Sequence, residues 1–361
     1  MDTTQLFDKF YVFLMSKYRS FCCNKSNKHY RKLLKMHNIP YKKLSKQQKE
    51  QIDNIYKGFG KYDYNTHRLV YSTTNRFDPY IMPEKLFRTE VELKLNSPSF
   101  KNAWSDKSYF DFFFPDVKFV NTIYRNIAGV LFDKDFNKAD KQEAITFLQQ
   151  LDSFVIKPSI DNGIGKGVRL VKKGEDLDKV LASYGKDYVI QEVFRQHSTL
   201  SQFNKSSVNI VRYISLMIDG EVYPVMAALR CGAEGSFNDN CITEDGMGMF
   251  VIGIDNDGKL KSEAFHSCGK KINRCPNGTE FNGVTIPSFD KMTKIVKNVH
   301  KYLGHFGFVG WDFVVDENGT PAIMEYNIKG PGVLYYQYAN GPLLGKYTQT
   351  VLDYCKNKKK L

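Results

Sequence analysis

The chain has 361 residues, of which 42% are hydrophobic, 25% charged and 14% aromatic. That length suits two or three lobes better than one compact core, and the composition predicts an ordinary soluble globular protein. No run of about 18 apolar residues occurs, which excludes a membrane-spanning helix, and residues 1–21 lack the apolar core and cleavage site of a secretory signal, so a cytoplasmic location is expected. Seven cysteines, an odd number without a C-x-x-C pair, predict free thiols. His266, Cys268 and Cys275 have the wrong spacing for a zinc module. The net charge is +13 and uneven: thirteen Lys or Arg stand against Glu50 and Asp53 between Lys17 and Lys61, and four lysines crowd the last seven residues. This asymmetry favours an acidic partner, either a nucleotide substrate, a nucleic acid or an anionic membrane surface docked through residues 17–61. No recognised nucleic-acid motif accompanies it, so nucleic acid is not an expected partner.

In chain order, Leu6, Phe10, Phe13 and Leu14 recur at helical spacing, and the helical pattern runs toward a break at Pro40. Ser45 is an N-cap candidate for a helix ending near Tyr56, before Gly58 and Gly60. Residues 61–100 read as mixed, with Pro79, Pro83 and Pro98 as breakers. Strands are expected from about Ser153: first at 154–156, then at 168–171 after a glycine-rich turn, then at 188–190 after a helix over 175–184. Asp219-Gly220 between 210–218 and 221–229 is a strong hairpin signal, because both residues tolerate positive φ. A second turn at Asn256-Asp257-Gly258 follows Phe250–Ile254. A helix over 289–303 precedes a third hairpin, 308–315 with 321–326. The order is helix-rich first, then α+β.

Three constellations carry chemistry. Lys157-Pro158 is followed by Gly163, Gly165, Lys166 and Gly167 and then a returning strand; glycines let backbone N–H groups approach an anion, and lysine supplies a point charge. The element that follows is a strand, so this is neither a Walker A loop nor a Rossmann fingerprint. In the second, hairpin pairing can set Asp312 beside Glu325. Asn327, two residues on, shares a face with Glu325, giving two carboxylates and an amide oxygen for a hard cation. In the third, Arg212 and Arg230 sit on the two strands of one hairpin and suit bidentate contact with phosphate or carboxylate.

The order of these pieces resembles the ATP-grasp superfamily. As in D-alanine–D-alanine ligases, an aspartate (Asp312) precedes the glutamate of an E-x-N motif (Glu325, Asn327) by thirteen residues, and Pro331-Gly332 follows. Lys107, in Trp104-Ser105-Asp106-Lys107, stands fifty residues before Lys157, where those ligases carry a second ATP-contacting lysine. Three stretches are similar to the sugar-transfer-associated ATP-grasp group: Asp106-Lys107, the run from Gln191 to His197, and the run from Ser207 to Arg212. Ile210 replaces an expected threonine, and Asn238-Asp239-Asn240 matches that group's aspartate-asparagine loop only in part; both departures concern the acceptor side.

The resemblance implies an α+β ATP-grasp fold, two α+β subdomains gripping ATP, behind a helix-rich basic region. Residues 1–100 would form that region and 101–361 the ATP-grasp domain, with a lid subdomain at about 120–193 and a metal-binding subdomain at about 194–361. Lys107 and Lys157 would contact ATP phosphates under the 161–168 loop. Gln191 and Val193 would read the adenine edge, and Glu192 or His197 would reach the exocyclic amine or ribose. Asp312, Glu325 and Asn327 would hold one or two Mg²⁺ ions, with Mn²⁺ as an alternative. Arg230 would neutralise transferring phosphate, and Arg212 would serve the acceptor or the scaffold. The implied reaction joins a small-molecule or glycan-linked carboxylate to an amine through an acyl phosphate, in bacterial surface polysaccharide synthesis. A kinase acting on a hydroxyl and a nucleotide-binding scaffold without turnover are the alternatives.

Overall fold

The computed structural model describes residues 3–160, 165–241 and 243–357; Gly163 lies outside them. The chain begins with a 34-residue helix, α1 (Thr3–Met36). The next helix, Lys46–Tyr56, starts at Ser45 with a reciprocal capping box: Gln48 N–H donates to the Ser45 hydroxyl and Ser45 N–H to the Gln48 side chain. Residues 61–100 are more helical than their prolines suggest. Asn65–Thr74 is a helix, and Pro83 sits at the N-cap of a second that runs from Glu84 through a π turn to Leu95. Proline is tolerated at that boundary because no helical donor is lost there.

A five-stranded antiparallel sheet follows, built from β1 (Thr122–Ile127), β2 (Val130–Asp133), β3 (Ser153–Pro158), β4 (Arg169–Lys172) and β5 (Tyr188–Glu192), in the order β2-β1-β5-β3-β4. The β1–β2 hairpin lies before the point at which strands were expected. It turns at Ala128-Gly129, both at positive φ, and an alanine in that conformation gives no sequence signal. The second sheet has seven strands: β6 (Ile210–Ile218), β7 (Glu221–Cys231), β8 (Phe250–Ile254), β9 (Leu260–His266), β10 (Lys271–Ile272), β11 (Phe308–Val315) and β12 (Pro321–Asn327), in the order β10-β9-β8-β7-β6-β11-β12. The β6–β7 turn at Asp219-Gly220 has φ of 50° and 83°, as a primed two-residue turn requires.

Strand alternation divides the large sheet's surroundings. Val309, Trp311, Phe313 and Val315 of β11, with Val211 and Tyr213 of β6, face a core closed by the helix Phe289–Val299. On the other face, Phe308 of β11 and Ile214, Leu216 and Ile218 of β6 pack against the N-terminal helices and the C-terminal helix Thr348–Asn357. Farther along that face, Ile210, Val314 and Ala322 join Val120 in a small cluster. Arg212 and Asp312 sit between the last two groups, so the polar row is flanked by apolar packing at both ends.

The first hundred residues therefore share a core with the large sheet. Asn96 fastens them. It is fully buried, its Nδ2 donates to the carbonyls of Phe308 (2.7 Å) and Ile328 (2.9 Å), and its Oδ1 accepts from Phe308 N–H (2.9 Å). Replacing Asn96 with alanine strands buried backbone groups at the start of β11 and just past β12. Each unsatisfied group costs about 1–3 kcal/mol, so Asn96→Ala is expected to lower unfolding free energy by about 2–4 kcal/mol in urea titration.

Candidate active site

Cross-strand register builds the site. Arg212 of β6 lies opposite Asp312 of β11, and Asp312 lies opposite Glu325 of β12, giving one row of three charges across neighbouring strands. The β11–β12 register slips between Asp312 and Phe313, a local irregularity at the carboxylates themselves. Asn327 pairs with Gly310, and its amide reaches Asp312 Oδ2 at 3.3 Å and Glu325 Oε1 at 3.5 Å. An amide flip presents oxygen from the same position. Gly310 is small for a reason: a Cβ there would lie 3.3 Å from Cδ of Arg212, whose side chain runs over it.

Both arginines turn toward Asp312. Arg212 grips it with two prongs, Nε to Oδ1 and Nη2 to Oδ2 at 2.9 Å. Arg230, opposite Ile210 on β7, contributes Nη2 at 3.5 Å from Asp312 Oδ2; its Nε bonds Asp239, and its Nη1 donates to the Tyr336 hydroxyl at 3.2 Å. The Arg212 guanidinium also lies 5.6 Å from the centre of the Tyr336 ring. Asp312 is 2% exposed. Burial alone would raise its pKa, but the two guanidiniums outweigh it and hold the carboxyl below its ordinary value. Burial likewise opposes the Arg212 charge, and Asp312 more than restores it.

The opposite wall comes from the small sheet. Lys157, near the end of β3, is 6% exposed and points into the same cavity as Arg212, Arg230, Asp312, Glu325 and Asn327. Burial pushes its ammonium down to about 8, with Glu325 and Asp312 opposing and Lys107 assisting. Lys107 starts a single 3₁₀ turn at Lys107–Tyr109; its N–H donates to Ser159 O at 3.0 Å, just past β3. Gln191, Glu192 and Val193 line the cavity at the end of β5, and Gly165 lines it opposite Asn238. Gln191 is held by bonds from Nε2 to the Thr122 hydroxyl and Val120 O, and Glu192 accepts from Asn121 Nδ2 at 2.8 Å. Lys166 is exposed and Gly167 backs onto Pro158, so neither lines the cavity.

His197 departs from its expected place. After β5 the chain swings to the β11–β12 turn, where Gln196 bridges Asp316 and His197 N–H donates to Val315 O. Its Nδ1 caps a short helical turn by accepting from Thr199 N–H at 3.1 Å. That geometry makes it a local cap outside the cavity lining.

Two features had no sequence signal. Val120, Phe194, Val208, Ile210 and Met324 form an apolar slot next to the charged end, drawn from β6 and β12 of the large sheet and from the links that join it to the small one. Tyr336, on the helix Leu334–Asn340, supports both arginines from behind. The cavity thus has an apolar end suited to a flat ring and a charged end with two arginines, a lysine and three oxygen donors. Among the described residues no three His, Cys, Asp or Glu side chains form a metal cage, so the cation donor set here depends on the Asn327 amide. Two carboxylates and an amide that already touch one another fit a hard divalent ion.

A family model described as sugar-transfer associated ATP-grasp matches residues 86–352. The chain belongs to this ATP-grasp family. Solved structures of similar fold include the ATP-grasp ligase PsnB complexed with minimal precursor, Mg and ADP (14% identity, TM-score 0.41, covering 73% of this chain and 62% of PsnB). They also include D-alanine–D-alanine ligase from Bacillus anthracis (13%, 0.40, 71% and 67%) and L-amino acid ligase from Bacillus licheniformis (14%, 0.38, 71% and 48%). This chain covers less than two thirds of PsnB and of the L-amino acid ligase. No curated protein matches the chain at a significant level.

The lysine in this ATP-grasp cavity gives a pH signature. Below pH 8 folded and unfolded chains both carry the Lys157 charge. Between about 8 and 10.5 the folded chain binds fewer protons, so this group adds stability as pH rises. Polyphosphate binding runs the other way, because the cavity loses its cation. Affinity for ATP in isothermal calorimetry is expected to fall about tenfold from pH 7 to pH 9, and Lys157→Arg is expected to flatten that fall.

Proposed function

We propose that this chain is an ATP-dependent carboxylate–amine ligase that modifies a glycan or glycan-linked acid through an acyl phosphate. The observation that carries this reading is the joining of Lys157, Arg212, Arg230, Asp312, Glu325 and Asn327 in one cavity with an adjoining apolar slot. Among the described residues the lining has no Ser, Thr, Cys or His, and this reading assigns its lysine and its β11 and β12 carboxylates to phosphate and cation. In this reading the substrates themselves provide nucleophile and electrophile, as in carboxylate activation by ATP.

In this reading the slot takes adenine against Val120, Phe194 and Met324, with Gln191 and Val193 at its polar edge. Lys157, with Lys107 nearby, meets the phosphates. Asp312, Glu325 and Asn327 would hold Mg²⁺, with Mn²⁺ as a substitute; when bound, such an ion neutralises phosphate charge and aligns the chain of phosphates. A substrate carboxylate oxygen attacks the γ-phosphorus and ADP leaves. An amine then attacks the acyl carbon, phosphate leaves with the bonding electrons, and the amine proton passes to solvent. Arg230, oriented by Asp239 and Tyr336, stabilises the charge that spreads over the transferring group. The membership in a sugar-transfer associated family supports a glycan-linked partner on one side of the bond, with bacterial surface polysaccharide as the proposed setting.

With candidate acids, Mg²⁺ and ATP, hydroxylamine should trap a hydroxamate and release ADP. A stable phosphoester in its place would point to hydroxyl phosphorylation. Glu325→Ala and Lys157→Ala should each lower turnover by about a hundredfold or more while the far-ultraviolet circular dichroism stays unchanged. Full turnover in both variants would refute the assignment.

A further inference from the structure

The N-terminal half of α1 turns its apolar side outward. Leu6, Phe10, Tyr11, Phe13, Leu14, Tyr18 and Phe21 are all between 45% and 67% exposed. At 100° per residue they occupy one arc of about 160°. Up to residue 27 the inward side is comparatively polar, with Arg19 and Asn27 buried there beside Cys23; the buried leucines, Leu33 and Leu34, come only at the end of the helix. Arg19 donates to Arg88 O at 2.8 Å and Glu92 Oε1 at 3.0 Å. This distribution is the reverse of a helix that merely packs on its own domain.

The outer arc continues along the helix with a change of chemistry. Lys25, Lys28, Arg31, Lys32 and Lys35 fall on the same side and are exposed, and Lys17 lies within the apolar arc, its Nζ 5.4 Å from the centre of the Phe13 ring. No acid follows Asp8 in the helix. An apolar patch rich in Phe and Tyr, extended by lysines on one side, matches the boundary between acyl chains and anionic headgroups. No described helix is long and apolar enough to cross a membrane, so the helix can lie in such a boundary and not span it.

We infer that α1 is a membrane-docking helix, which seats residues 6–21 in an anionic lipid surface and holds it with the basic residues 25–35. A second copy packed in parallel is a poorer occupant, since that pairing brings the basic segments together, and an antiparallel copy is the outcome that gel filtration detects. The docked helix has a fixed relation to the active-site cavity. Glu92, fully buried, accepts from Arg19 and also from Gly330 N–H at 2.9 Å, just after the strand that carries Glu325 and Asn327. One carboxylate thus ties the root of the helix to the loop behind the site.

The test uses the full chain and sedimentation with vesicles of phosphatidylcholine alone or mixed with phosphatidylglycerol. Wild type is expected to bind the anionic vesicles and to release them as salt rises. The triple variant Phe10→Ser, Phe13→Ser, Phe21→Ser, altered only at exposed positions, should bind at least about tenfold more weakly. Lys25→Glu, Lys28→Glu, Lys32→Glu should do the same. In Phe13→Trp, anionic vesicles should shift tryptophan emission to the blue. The inference is overturned if wild type ignores anionic vesicles or if the triple variants bind as well as wild type. It is equally overturned if the wild type is a dimer in gel filtration that the Phe variant dissociates, with no vesicle binding in either.

Discussion

Asp312 is a buried carboxylate shared by two buried arginines, and the arrangement of the cavity follows from that contact. A charge withdrawn from water this far is tolerated only with close partners; removing one member of such a buried set typically costs about 3–5 kcal/mol. The sheet supplies the partners by register. Arg212 and Glu325 are its cross-strand neighbours, and Arg230 arrives diagonally from the next strand over. Once Asp312 is fixed, the positions of both guanidiniums, of Glu325 and of the Asn327 amide are fixed with it. The row is rigid because its strands are packed on both faces, with Trp311 and Phe313 behind it and apolar clusters at either end.

The second sheet adds what the first lacks. Among the described residues no acidic side chain is bonded to the buried Lys157, and burial lowers its hold on a proton. A lysine in that condition gains most from a polyanion, because an incoming phosphate replaces the solvation that burial removed. The two sheets together therefore make a site with an apolar slot beside a charged end, where the cations and the oxygen donors of β11 and β12 stand together.

Much of this was legible in the residues, for identifiable reasons. Asp219-Gly220 marked its hairpin because the turn demands positive φ at both positions. The thirteen-residue interval from Asp312 to Glu325 spans a hairpin whose pairing sets those carboxylates side by side. Lys107 and Lys157, fifty residues apart, come near enough to influence each other electrostatically because a backbone bond from Lys107 to Ser159 draws the first segment to the end of β3, although Lys107 is not part of the cavity lining. Other features depend on packing that periodicity does not encode. Tyr336 reaches the arginines from a late helix, the slot is assembled from single residues of several segments, and the β1–β2 turn uses an alanine where glycine or asparagine would have been read. The long helical pattern of residues 3–36 was visible, but the direction of its Phe and Leu side chains was not. Helical spacing shows that a face exists and does not say what covers it. His197 followed the motif in sequence yet caps a turn, because the chain leaves the cavity after Val193.

The central claim is that the cation donors of β12 and the lysine of β3 serve one bound nucleotide. Electron paramagnetic resonance of Mn²⁺ with a non-hydrolysable ATP analogue tests it directly, comparing wild type, Glu325→Gln and Lys157→Met. A phosphorus hyperfine coupling in the wild type that is lost or strongly weakened in both variants is the expected result. Mn²⁺ binding that ignores the nucleotide, or a coupling that survives in either variant at wild-type strength, would contradict it.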